Sequence, residues 1–168
     1  MSKNILIAYA TKHGSTKEVA EAIASTLRVE GDHVDVVNAN DAGEVSRYAT
    51  VVLGGALYMG HWHRDALAFL KRNEHALAHM PLAVFAMGPK TLADADVASA
   101  QAQLDHALAS SPLEPASVAI FGGVVDPSRL HFPLNRMPAS DARDWDAIGA
   151  WARQVATLGA TERQPVSV

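Results

Sequence analysis

Five short apolar runs, at positions 5–10, 33–37, 50–54, 82–87 and 117–121, alternate along this chain with stretches of helical period. Runs of that length, rich in Val, Ile, Leu and Phe and bounded by polar residues, fit buried strands. Between the first two, Val19, Ala20, Ile23, Ala24 and Leu27 share one helix face. Leu67 and Leu70 turn inward from a helical segment running from Arg64 to about Glu74, with a continuation toward His79. Val97, Leu104, Ala107 and Leu108 do so from one starting near Asp94. A last helix, starting between Asp141 and Asp144, shows Trp145, Ile148, Ala152 and Val155 on one face. Strands joined through helices pair in parallel, and right-handed crossovers cover both faces of the sheet. The fold class is therefore α/β: a single doubly wound five-stranded parallel sheet, with 2-1-3-4-5 the leading order and the second run near an edge. In that order a ligand crevice lies at the carboxyl ends of strands 1 and 3, where the connections diverge.

The first run ends at this crevice, in Thr11-Lys12-His13-Gly14-Ser15-Thr16. Ser15 followed by Glu18 fits a capping box at the start of the first helix. Such a turn gathers free backbone N–H groups at the positive end of a helix dipole, and Thr11, Ser15 and Thr16 add hydroxyls. That donor set suits a phosphate. The glycine-lysine signature of a nucleoside-triphosphate loop and the three-glycine signature of a dinucleotide fold are both missing.

At 168 residues the chain is long enough for one substantial core, assigned to residues 1–158, with 159–168 as a tail that frays from Thr161 onward. It has no cysteine, which excludes disulfides, thiolate metal sites, iron–sulfur ligation and thiol catalysis. A net charge of −4 without any basic run argues against nucleic acid. The chain enters a strand at once, and no apolar run approaches the ~20 residues of a membrane helix. A cytoplasmic location is the expectation.

Thr11-x-x-Gly14-x-Thr16, set between the first strand and the first helix, resembles the phosphate loop of the flavodoxin family, which holds the 5′-phosphate of FMN. The stretch from Leu53 to His63, with its Gly54-Gly55-Ala56-Leu57 and Gly60-His61-Trp62-His63, resembles one branch of that family, the menaquinone-dependent protoporphyrinogen IX dehydrogenases, as does Asp144-Trp145. The resemblance runs from about residue 3 to 156 in element order. It implies that Thr11, Lys12, His13, Gly14, Ser15 and Thr16 surround the FMN phosphate. Ala56, Leu57, Tyr58, Met59, Gly60, His61 and Trp62 would lie along the isoalloxazine ring, with Trp62 or Tyr58 stacked on it. Gly60 would carry a peptide that flips toward flavin N5. Met87, Gly88 and Pro89, followed by Lys90, would stand near the ring edge. A receiver domain shares the strand order but needs acidic residues where Ala10-Thr11-Lys12 and Gly54-Gly55-Ala56 stand.

The branch carries a longer apolar insertion after its fifth strand. Here the connection 124–140 is shorter, with Leu130, Phe132, Leu134 and Met137 interrupted by Pro127, Pro133 and Pro138. A packed surface loop is the favoured reading; a lid, a partner surface and a peripheral membrane contact are the others. His61-x-His63 offers two of the three or four ligands that zinc needs, so no metal is expected. His61 and His63 remain candidates for moving protons in a two-electron, two-proton reaction. The functional expectation is an FMN-dependent oxidoreductase that passes electrons from a reduced substrate to a quinone or another acceptor. The alternatives are a one-electron carrier between redox proteins and a module that has lost its cofactor.

Overall fold

The computed structural model describes residues 2–159. Five parallel strands form its sheet: β1 (Asn4–Ala10), β2 (His33–Asn38), β3 (Thr50–Tyr58), β5 (Leu82–Met87) and β6 (Ser117–Phe121). Their spatial order is β2-β1-β3-β5-β6, the expected 2-1-3-4-5 of the five runs, with the second run at an edge. A short arm, β4 (His61–Trp62), pairs antiparallel with β3 and is the one departure from an all-parallel sheet. Central β1 pairs on both sides, Ile5 opposite Val34 and Thr50, Ala8 opposite Val37 and Leu53.

The two-residue period of β1 divides the core. Ile5, Ile7 and Tyr9 face a layer built by α1 (Ser15–Val29) and α5 (Trp145–Ala156). Leu6, Ala8 and Ala10 face the opposite layer, where α2 (Arg64–Arg72) contributes Phe69 and Leu70 and α4 (Asp94–Leu108) contributes Leu104. On the first layer Trp151 packs edge-on against Phe85 and Phe121, with ring centroids 5.9 and 5.7 Å away. Its indole N–H donates to Ser117 Oγ at 2.9 Å. That bond satisfies the polar edge of a buried ring.

Four local expectations are corrected. The segment 55–63 is a hairpin rather than a loop, because β3 continues to Tyr58 and turns back through Met59 and Gly60 at φ 51° and 81°. Two successive positive φ values make the primed two-residue turn whose twist matches its strands. The helix from Arg64 ends at Arg72; Asn73 leaves helical geometry, its side chain donating to the Phe69 carbonyl at 3.0 Å, and a separate turn, α3 (Glu74–Leu77), follows. Trp145 is exposed, and Trp151 takes the inward place on α5. The capping box does not form: Gly14 is the N-cap of α1 and no side chain caps it. Glu18 instead bonds Arg143, which also chelates Asp141 with Nη2 at 2.7 Å. The tail from Ala160 lies outside the described residues.

The connection after β6 is ordered by a two-stranded ribbon, β7 (Val124–Val125) against β8 (Ser140–Asp141), with 3₁₀ turns at Pro127–Arg129 and Leu134–Arg136. Arg143 follows β8 directly, so its bond to Glu18 ties the end of this excursion to the first turn of α1.

A methyl group on Gly54 would fall 2.0 Å from Cζ of the buried Phe85 ring. Gly54→Ala should cost about 2 kcal/mol through overpacking, read from the urea midpoint. Gly43→Ala, with nothing within 4 Å of the new methyl, is the neutral control. Equal midpoints for the two variants contradict the packing account. A second test is acid titration. The Arg143 guanidinium, through its side-chain bonds, holds the Asp141 carboxyl below its ordinary range. The unfolded chain therefore takes up that proton first, and the ion pair's contribution, present at neutral pH, fades as pH falls below about 4 toward the lowered folded value. Asp141→Asn should flatten the acid limb of the melting-temperature profile. A limb as steep as that of the parent chain rules the pair out as its source.

Candidate functional site

The carboxyl ends of β1, β3 and β5 open at one end of the sheet, and each runs straight into a segment singled out in the sequence. After β1, Gly14 sits at φ 92°, a left-handed geometry that disfavours any side chain. Its N–H donates to Thr11 Oγ1 at 2.9 Å, which closes the loop on itself. The first intrahelical bond of α1 runs from the Glu18 N–H to the Gly14 carbonyl at 3.2 Å. The N–H groups of Ser15, Thr16 and Lys17 precede it, and these are the donors a helix start leaves open. The Thr16 side chain is fully buried, yet its hydroxyl has no partner, and neither has the buried Nε2 of His13. An unmet buried hydroxyl costs about 1–3 kcal/mol. Two such atoms in one four-residue stretch, beside open backbone donors, fit an anion held by the loop.

Positive charge surrounds that loop. Lys12 Nζ stands 4.7 Å from the centroid of the Tyr58 ring, joining the loops after β1 and β3. Arg129, from the first 3₁₀ turn of the connection, donates through Nη1 to the His13 carbonyl, and its Nε lies 3.3 Å from Asp126. Burial, then Lys12, Arg129 and His131, lower the pKa of His13 below the ordinary histidine range, with Asp126 opposing. The imidazole is therefore neutral at neutral pH, with one donor and one acceptor to offer.

The loops beyond β3 and β5 interlock. The His63 N–H donates to the Ala56 carbonyl at 2.9 Å and shuts the base of the hairpin. A Cβ on Gly88 would fall 2.7 Å from Leu57 Cβ, so the two segments touch at van der Waals range. The Gly88 N–H donates to the Phe121 carbonyl at 3.2 Å and the Gly123 N–H to the Pro89 carbonyl at 2.9 Å. The third loop is thus stitched to the start of the long connection. Met87 and Pro89 are buried, while Lys90 is exposed.

The aromatic and histidine residues separate clearly. Trp62 is 2% exposed, and its indole N–H donates to the Gly55 carbonyl at 3.0 Å, so it packs the hairpin against α2. Tyr58 is 43% exposed and Met59 79%, which leaves Tyr58 as the ring available to a ligand. His63 is the N-cap of α2: its Nδ1 accepts from the Asp65 N–H at 3.1 Å. His61 is exposed on β4. Among the described residues no cluster of three His, Asp or Glu is placed to hold a metal ion. No helix among them is long and apolar enough to cross a membrane.

The sequence points to an approach of His131 to His13, and its charge does act on that imidazole; for Arg129 and Asp126 it gives no such indication. The only local signal was Asp126-Pro127-Ser128, a turn former, and Asp126 Oδ1 does accept from the Ser128 N–H at 3.0 Å. Nothing in that signal points to a loop 116 residues earlier.

The Escherichia coli K12 protein named protoporphyrinogen IX dehydrogenase [quinone] is 33% identical over 84 residues, 49% of this chain and 46% of that protein. The match thus spans about half the length of the curated relative. Among solved structures, an NADH:FMN oxidoreductase in its apo form superimposes with a TM-score of 0.61 at 14% identity, over 98% of this chain and 92% of that one. A Fusobacterium nucleatum flavodoxin bound to flavin mononucleotide gives 0.56 at 17%, over 91% and 96%. At such identities these two show the fold alone. The flavodoxin domain family model matches residues 6–137, from β1 through the cation-bearing connection, and the chain belongs to that family.

Proposed function

We propose that this chain is an FMN-dependent oxidoreductase that delivers electrons from a reduced organic substrate to a quinone. The observation that carries the reading is the buried, unpartnered Thr16 hydroxyl beneath a left-handed Gly14, at the switch point of a flavodoxin-family sheet. Thr11 to Thr16 hold the phosphate, chiefly through backbone N–H groups, with Lys12 nearby. The hairpin from Ala56 to Trp62 would lie along the ring, with the exposed Tyr58 as its stacking residue, while the buried Trp62 fixes the hairpin from behind. Met87, Gly88 and Pro89 bound the ring edge and keep water from one side. Bound FMN supplies the electron chemistry. The chain's own part is binding, orientation and exclusion of water, with His61 as the exposed group on β4 that can move a proton.

The similarity to protoporphyrinogen IX dehydrogenase favours a porphyrinogen as donor and a quinone as acceptor. The working location on this reading is the cytoplasm. A membrane quinone would be reached through the exposed Phe132 of the 124–140 connection, which is 70% exposed.

The test is flavin retention. After mixing with FMN and gel filtration, the protein should keep a flavin absorption spectrum. Thr16→Val removes a hydroxyl without changing volume. It should weaken FMN binding by roughly tenfold while leaving the ligand-free protein as stable as before or more so, since an unmet buried group is gone. Tight FMN binding by Thr16→Val removes the hydroxyl from the site. Failure of the parent chain to retain FMN removes the redox reading altogether. With flavin retained, oxidation of the reduced protein by a quinone supports the enzyme. Two resolved one-electron steps with no quinone turnover would instead favour a carrier between proteins.

A further inference from the structure

Arg129 belongs to a connection that the site does not need for its backbone geometry, yet it reaches the phosphate loop. Its Nη1 lies 3.5 Å from where a Cβ on Gly14 would stand and donates to the His13 carbonyl. A guanidinium carries five donors in a rigid fork. Here Nη1 is spent on the loop carbonyl and Nε faces Asp126 at 3.3 Å, while Nη2 has no partner among the described residues. The side chain is 54% exposed, so it is not there to fill a core. Asp126 is fixed in turn by Ser128, whose N–H and hydroxyl both donate to its Oδ1, at 3.0 and 2.6 Å. A carboxylate steadied by its own turn therefore orients a guanidinium over the glycine of the anion loop.

The loop itself needs that charge. Gly14, Ser15 and Thr16 are neutral, His13 is neutral at neutral pH, and a helix start offers about half a unit of positive charge. A phosphate monoester carries close to two negative charges. Lys12 is the one cation on the loop proper, and its ammonium lies over the Tyr58 ring.

We propose that Arg129 is a specificity-determining residue that makes this site select a phosphorylated flavin over the same flavin without its phosphate. It clamps the phosphate from the 124–140 connection, opposite the backbone donors of α1, with Asp126 as its positioning partner. The inference rests on the FMN reading of the loop and assigns it a second half that the first half does not predict.

The experiment titrates the ligand-free full-length chain with FMN and, separately, with riboflavin, following quenching of flavin fluorescence. In Arg129→Gln the dissociation constant for FMN should rise by roughly tenfold or more, while that for riboflavin stays within about twofold. Arg129→Lys keeps a charge but loses the fork, and should fall between the two. High salt should narrow the parent chain's preference for FMN more than that of Arg129→Gln, because a half-exposed charge pair is screened. Equal losses for both flavins would make Arg129 a mere tie between the connection and the His13 carbonyl, and would overturn the proposal. So would unchanged FMN binding in Arg129→Gln. A parent chain that binds neither flavin overturns the FMN reading itself, a different result from one that binds FMN and ignores the substitution. Should Arg129→Gln misfold, the ordering of Arg129→Lys against the parent chain decides the question alone.

Discussion

The burial of β1 between β2 and β3 sets the position of every functional group in this molecule. Ile5 to Ala10 are all buried, three side chains to each layer, and the strand is hydrogen-bonded along both edges. Its backbone can neither slip nor tilt without moving both cores, because a one-residue shift would exchange its two faces. The residue after it, Thr11, is therefore fixed in space before its loop has adopted any shape. The next constraint is local: Thr11 takes the Gly14 N–H, Gly14 takes a left-handed φ, and α1 starts with its donors open. The unmet Thr16 hydroxyl is stabilised by nothing inside the loop, but it is held in place by Val19, Ala20 and Ile23 packing behind it in the core. Thr16 stands at the N-terminal end of the same buried face, so apolar burial along that face keeps an unfavourable polar arrangement in being at its end.

That arrangement is closed by charge from far away in sequence. Two arginines return from the excursion after β6. Arg129 reaches the His13 carbonyl, and Arg143 reaches Glu18 one turn into α1. Each is steadied by an aspartate of its own turn, Asp126 and Asp141. The repetition has a plain physical source. A surface ion pair between a long side chain and one partner loses much of its energy to side-chain entropy. A second, local partner has already restricted the side chain, so the long-range bond forms at lower entropic cost. The Arg143 side chain is only 10% exposed, which spares it from screening, whereas Arg129 at 54% is open to it.

Much of this was legible in the sequence, and the failures share a cause. The run 82–87 became β5 without change, because burial on both faces leaves an uninterrupted apolar signal; the half-buried edge run 117–121 became β6 with the same bounds, and α4 begins at Asp94. The hairpin at 57–62 was hidden. Its turn puts Met59, rather than Asn or Gly, at the first positive-φ position, so the usual dipeptide signal is missing. The Ser15–Glu18 spacing fits a cap because the pattern is local, but Glu18 has its partner in Arg143, 125 residues away. Helical period alone places Trp145 inward. Trp151 lies six residues on and takes that place, and Trp145 lies out with the Arg143 guanidinium 4.8 Å from its ring centroid. Periodicity and caps are read within a dozen residues. Partners brought together by the sheet are not.

The same reasoning explains why the site's two halves differ in how they could be found. The half on the loops after β1 and β3 is dictated by backbone demands: a positive φ at Gly14, a Cβ that would strike Phe85 at Gly54, another that would strike the Trp62 indole at Gly55. Such demands leave glycines at fixed places next to strand ends, and a sequence displays them. Around Arg129 the local sequence signals only an Asx turn at Asp126 and the 3₁₀ turn that follows it. Arg129 could stand on many turns and is useful only because β6 ends beside β5, and β5 beside β3, so that the excursion passes over the first loop. A residue whose value comes from topology rather than from local geometry carries no signature until the strand order is known. Once the order is known, the excursion after the edge strand is the place to look for charge that reaches the loop of the central one.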